Sequence, residues 1–170
     1  MHVAFDQLPA TTRVWIYQAS RPLTSAETLS ILPILARFAE EWTSHGRSLL
    51  ASAAVLHQHF LVLGLDEVVA GASGCSIDAS VRFVAQLEQQ LGLELLEKSR
   101  LAFLQNGQVQ LLDRCELKAA TASGIITPDT RYFDNTTATK GELDALWPRP
   151  AGETWLARYF GTLEKNSDLA

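Results

Sequence analysis

The chain has 170 residues, of which 47% are apolar and 19% charged, a balance that excludes a disordered chain and fits one domain with a sizeable core. Its net charge of −5, with no cluster of Lys or Arg, excludes a nucleic-acid binder that works by counterion release. No apolar run approaches the ~20 residues that cross a bilayer, so no membrane insertion is expected.

The opening segment MHVAFDQLPATTR has neither the basic start nor the apolar stretch of a secretory signal. Two cysteines, Cys75 and Cys115, are too few for a disulfide framework and read as reduced thiols, which points to a cytoplasmic protein. Arg13 to Gln18 (RVWIYQ) is β-branched and aromatic and predicts a strand. Ser20-Arg21-Pro22 marks a turn, and Thr24 with Glu27 forms a capping box that opens a helix. Ile31, Ile34, Leu35, Phe38 and Trp42 recur at helical spacing, Pro33 predicts a kink or a later start, and His45-Gly46 closes the element. Two apolar strands follow, Leu49 to Leu56 and Phe60 to Leu65, joined by the short His57-Gln58-His59 spacer of a hairpin, with a bulge expected at Gly64. Ile77, Val81, Val84, Leu87 and Leu91 share one face of a second helix that Gly92 ends. Arg100 to Gln105 and Gln108 to Leu112 flank Asn106-Gly107, the strongest hairpin signal in the chain.

Beyond this the pattern is less regular. Asp113 is expected to cap a short helix ending near Gly124, Thr139 and Glu142 form a second capping box, and Trp155, Leu156, Tyr159 and Phe160 predict a docked helix over 153–160. Trp15 and Tyr17 alternate with Val14 and Ile16, so both faces of the first strand are expected to be covered, the second by the C-terminal extension or by a partner chain.

The order β-α-β-β-α-β-β predicts an α+β fold of the ferredoxin-like (split βαβ) kind: an antiparallel sheet with two helices on one face and a C-terminal helical extension. The domain reading is a single domain over 1–160, with a core over 13–112, an extension over 113–160 and a flexible tail over 161–170. In that topology the third strand ends, the first helix ends and the second helix begins at the sheet edge where the first strand starts. Arg13, His45, Arg47, Asp66, Glu67 and residues 75–78 would converge there.

The segment Ser73-Gly74-Cys75-Ser76-Ile77-Asp78 is the sharpest candidate site. Unpaired N–H groups and the helix dipole at a helix start suit a reactive thiolate or an anion. One assignment makes Cys75 a nucleophile, His45 its base and Asp66 an orienting acid; the bland alternative is a small, buried, inert thiol. A second assignment makes Ser73, Gly74 and Ser76 a cradle for a small anionic ligand with Arg13 or Arg47 as clamp. Its alternative is ordinary capping, with Asp78 complementing the dipole and repelling an anion. Six residues separate Cys75 from Arg82 where a cysteine phosphatase needs five, which rejects that chemistry. His57 and His59 lack third and fourth zinc ligands at suitable spacing and read as exposed hairpin residues, so no metal is expected. FLVLGLDE (60–67) looks like a Walker B strand, but no G-x-x-x-x-G-K-[ST] loop accompanies it. Nothing in the sequence calls for a cofactor.

Together, FDQLPATTRVWIYQASR, the W-x-x-HG of Trp42 to Gly46, ASGCSIDASV and TKGEL with a late Trp resemble a family of small bacterial proteins often labelled ABC transporter ATPase. The resemblance covers roughly residues 3–160. Its label suggests a nucleotide-associated protein, while the resemblance itself implies almost nothing about function and carries no catalytic residues over. The residues themselves establish no enzyme activity. They point first to a binding domain that acts as a homodimer or with a protein partner, and second to a thiol or anion site at Cys75.

Overall fold

A computed structural model describes residues 2–44, 47, 48, 50–67 and 73–161. In chain order its elements are β1 (Arg13–Gln18), α1 (Ser25–Glu41), β2 (Thr43–Ser44), β3 (Arg47–Ser48), β4 (Leu50–Leu56), β5 (Phe60–Asp66), α2 (Gly74–Leu91), β6 (Arg100–Gln105), β7 (Gln108–Asp113), α3 (Leu117–Ala122), β8 (Arg131–Tyr132), α4 (Lys140–Leu146) and β9 (Arg149–Pro150). The chain is a mixed α+β protein that divides into two compact units, residues 1–97 with 135–145 and residues 98–134 with 146–170.

The first unit is built on an antiparallel sheet in the order β1-β5-β4. β5 (FLVLGLD) is central and buried along its whole length, which is why it reads as continuously apolar rather than alternating. Leu61, Leu63 and Leu65 face the core formed with Ile31, Leu35, Ala39 and Trp42 of the α1 side and with Val84 and Leu87 of α2. On the opposite face Val14, Phe60 and Val62 are buried too. The cover there comes from the chain's own termini of the unit: Leu8, Phe5 and Thr12 lie against Gly64, and Lys140 stands over the Phe5 ring.

Local chemistry sets the helix starts. Thr24 caps α1 in a complete capping box with Glu27, and Arg21 grips the same carboxylate with two bonds of 2.8 and 2.9 Å. Those Arg21 bonds, with the Thr24 N–H, hold the Glu27 carboxyl down to about 2. α1 runs through Pro33 without ending; the missing N–H falls opposite the carbonyl of exposed Leu29. The expected second box is also formed, since Thr139 Oγ1 accepts from the Glu142 N–H at 3.2 Å and Glu142 Oε2 accepts from the Thr139 N–H at 3.3 Å.

Two expectations about this unit are corrected. Gly64 sits in regular pairs with Val14 and Ser52, not in a bulge. Its small size serves a close approach instead: a Cβ there would stand 2.6 Å from Leu8 Cδ1. His59 is 3% exposed rather than a surface hairpin residue, while His57 is exposed. The His57-Gln58-His59 turn has φ of 50° and 54° at its first two residues, and it is tied inward by the Ala19 N–H to the His59 carbonyl and the Leu23 N–H to the Gln58 carbonyl.

The second unit corrects the ferredoxin-like plan. The strands over 100–105 and 108–113 do not join the first sheet; they form another, in the order β7-β6-β8-β9. Asn106 and Gly107 (φ 52° and 74°) make the tight hairpin turn between β6 and β7. Phe103 pairs with Tyr132 across β6 and β8, and Leu101, Phe103, Leu117, Ile126, Tyr132 and Leu156 form the core. The short helix after Asp113 is present, as a 3-10 turn (Arg114–Glu116) running into α3, but the Asp113 side chain makes no capping bond. The aromatic segment near the C-terminus is 3-10 helix over Trp155–Tyr159, not α-helix. No helix among the described residues is long and apolar enough to cross a membrane.

Burial pushes the His59 and His57 imidazoles below their ordinary value of 6.5. His59 Nε2 is buried and makes no hydrogen bond among the described residues. These two imidazoles therefore hold fewer protons in the folded chain than in the unfolded chain just below pH 6.5, so their contribution to stability is fully present above that pH and is lost as the pH falls through the folded values. Urea midpoints measured down a pH series are expected to fall below about pH 6.5, and His59→Leu to flatten that fall. A fall of equal size in His59→Leu would remove His59 as its source.

Candidate functional site

The start of α2 is built as a cap. Ser73 is the N-cap, its Oγ accepting from the Ser76 N–H at 3.2 Å, while the Ser76 hydroxyl turns back to donate to the Ser73 carbonyl at 2.8 Å. Ser76 is buried, and Gly74, Cys75 and Asp78 are exposed. The first carbonyls of the helix are also engaged: Trp42, at the C-cap of α1, donates its indole N–H to the Ser76 carbonyl at 3.0 Å. That bond brings the end of α1 to the start of α2, the juxtaposition the sequence anticipated.

The rest of the expected constellation is only partly assembled. The Arg13 guanidinium stacks over Trp15 at 4.7 Å and pairs with Glu67 at 3.3 Å, so the proposed anion clamp has an acid partner of its own. Asp66 is buried at the end of β5. Arg47 lies in β3, paired with Ser44 of β2. His45, the proposed base, lies outside the described residues. With Ser73 and Ser76 bonded to each other, capping accounts for what those hydroxyls do. Cys75 is not the small buried thiol of the bland reading. Both Cys75 and Cys115 are free and exposed, so native protein is expected to take up two equivalents of iodoacetamide without denaturant. Uptake of one equivalent or none would contradict that exposure.

A different feature lies on the outer side of the helix pair. α1 and α2 leave a groove of about 420 Å³ between them. Its floor is the stacked pair Phe38 and Phe83, ring centroids 4.0 Å apart and planes 3° from parallel, with Ile34 alongside. Arg37 lines it from α1 and Arg82 from α2. Both guanidiniums are exposed, and neither forms an ion pair among the described residues. Glu41 sits one turn beyond Arg37, and Gln86 and Gln90 continue the lining along α2. The lining stays net positive with Glu41 included, on a chain whose net charge is −5.

These groove residues were in plain sight in the sequence as one dipeptide used twice, Arg37-Phe38 and Arg82-Phe83. In each helix the Phe falls on the edge of the apolar stripe and the Arg one step further out, a placement that 3.6-residue periodicity assigns once both helices are aligned. Among the described residues no group of three or more His, Cys, Asp or Glu is placed to hold a metal ion. No protein-family model, no curated protein and no solved structure matches the chain.

Proposed function

We propose that the protein is an interaction module whose α1–α2 groove takes an acidic polypeptide segment carrying an apolar anchor. The observation that carries this reading is the pair of Arg-Phe dipeptides facing one another across the groove, their rings stacked and their guanidiniums without acid partners among the described residues. A partly exposed aromatic floor offers burial to an aliphatic or aromatic side chain, and two forks at its rim offer bidentate bonds to carboxylates. An acidic chain repels acidic partners on average, so a groove lined by two Arg and one Glu offers them a locally positive surface. The exposed free thiols suit a reducing compartment, and we place the module in the cytoplasm on that ground. The thiol and nucleotide readings have no comparable observation behind them.

Calorimetric titration tests it with two synthetic amphipathic peptides that share Leu and Phe anchors, one bearing Glu and the other Lys at the polar positions. The Glu peptide is expected to bind and the Lys peptide not. Arg37→Glu with Arg82→Glu is expected to weaken binding at least about tenfold, with no change in melting because both side chains are exposed. Equal binding of both peptides, or binding indifferent to the charge reversal, contradicts the proposal.

A further inference from the structure

We infer that β4 is the pairing edge for a second copy of this chain. The inference is independent of the groove. β1 has its outer edge covered within the unit, by the Val14 N–H donating to the Ala138 carbonyl at 2.9 Å and the Lys140 N–H to the Thr12 carbonyl at 2.8 Å. Among the described residues nothing covers β4 in this way along most of its length. The N-terminal segment reaches only its beginning, where the Val3 N–H donates to the Ala51 carbonyl and the Ser52 hydroxyl to the Val3 carbonyl. In an antiparallel strand the outward N–H and C=O groups belong to alternate residues. Ala51 faces outward, so Ala53 and Val55 do as well, and among the described residues nothing pairs with their main chain.

Edges of this kind are normally blunted by charge, proline, bulges or a covering segment. β4 reads LASAAVL: it has no charged residue, no proline and no bulge in its register with β5. The helix above it carries matching apolar surface. Ile34 and Phe38 of α1 face α2, so the opposite ridge, with Leu32 and Ala36 at four-residue spacing and Leu29 beside it, looks out past β4. Leu29 is 68% exposed and Leu32 43% exposed, two of the largest apolar exposures among the described residues.

An antiparallel edge is complementary to itself about a twofold axis. Ala53 of one protomer then stands opposite Val55 of its partner, the outward main-chain groups are satisfied on both sides, and the two α1 ridges meet above the joined sheets. The chain's last nine residues, TLEKNSDLA, are a poor substitute for that strand, being mostly polar or charged and weak in β-propensity.

Sedimentation equilibrium at concentrations on the order of tens of micromolar tests the assignment, with Val55→Pro and Leu32→Glu as variants. The Val55 N–H faces outward, so proline there spares the β4–β5 ladder and blocks only the edge. Leu32 is exposed, so its replacement leaves the monomer's core intact. The wild type is expected at twice the 18.7 kDa of one chain, and at least one variant that keeps the wild-type circular dichroism is expected to dissociate at least about tenfold more readily. A monomeric wild type, or a dimer undiminished in Leu32→Glu and in any folded Val55→Pro, overturns the inference.

Discussion

Trp42→Ala is expected to destabilise the protein by about 3–5 kcal/mol, the range for deleting a buried aromatic side chain. Trp42 is 3% exposed and joins three things at once. Its ring lies 5.9 Å from Trp15 of β1 and 5.1 Å from Phe38 of α1, and its indole N–H satisfies the Ser76 carbonyl in the first turn of α2. Alanine leaves a cavity under both helices and removes the hydrogen bond that ties the end of α1 to α2. For a chain of this size the loss corresponds to a fall in melting temperature of roughly 10 °C, a large part of a typical total stability of about 5–15 kcal/mol. Trp42→Phe separates the two contributions, because it retains most of the bulk and removes the hydrogen bond; about 0.5–1.5 kcal/mol is expected for the loss of that one bond, since the Ser76 carbonyl keeps its place in the helix ladder. Urea denaturation of both variants measures this. A Trp42→Phe variant as stable as the wild type would mean that the indole bond does not hold the helix junction.

Gly64→Val is the second large effect, at roughly 1–3 kcal/mol of overpacking strain. The backbone of β5 passes so close to Leu8 that even a Cβ would need 2.6 Å from Leu8 Cδ1, with Phe5 and Thr12 at 3.4 and 3.5 Å behind it. Leu8 is itself buried, so it has no solvent into which to swing. A double-mutant cycle exposes the cause. Gly64→Ala and Leu8→Ala each destabilise alone, and together they cost less than their sum by about 0.5–3 kcal/mol. Strict additivity would show that Gly64 is required for something other than room for Leu8.

What the sequence made legible was what a few neighbouring residues decide. Thr24 with Glu27, Thr139 with Glu142, and Asn106-Gly107 each specify their structure within four residues, and each is formed as expected. Sheet membership is another matter. A hairpin at 100–113 has the same local pattern in either sheet. Its actual neighbour is β8, two residues long and too short to show any periodicity. Gly64 announced a special backbone site, but whether as a bulge or as a close approach depended on Leu8, distant in sequence. The exposure of Cys75 and the burial of His59 were inverted for a similar reason. A helix start can face out at its second residue and in at its third, and the hairpin turn is drawn inward by Ala19 and Leu23. At the candidate site, the meeting of the helix ends was expected from a topology whose last two strands turned out to lie in another sheet, and the groove required knowing which flanks of α1 and α2 face each other.

The most direct measurement of the central claim is the position of the bound peptide. Amide shifts in ¹H–¹⁵N spectra, recorded while the Glu-bearing amphipathic peptide is added, are expected to concentrate on 34–41 of α1 and 79–90 of α2, the segments that line the groove. Changes centred instead on 73–78 or on β4, or no changes at saturating peptide, would contradict it.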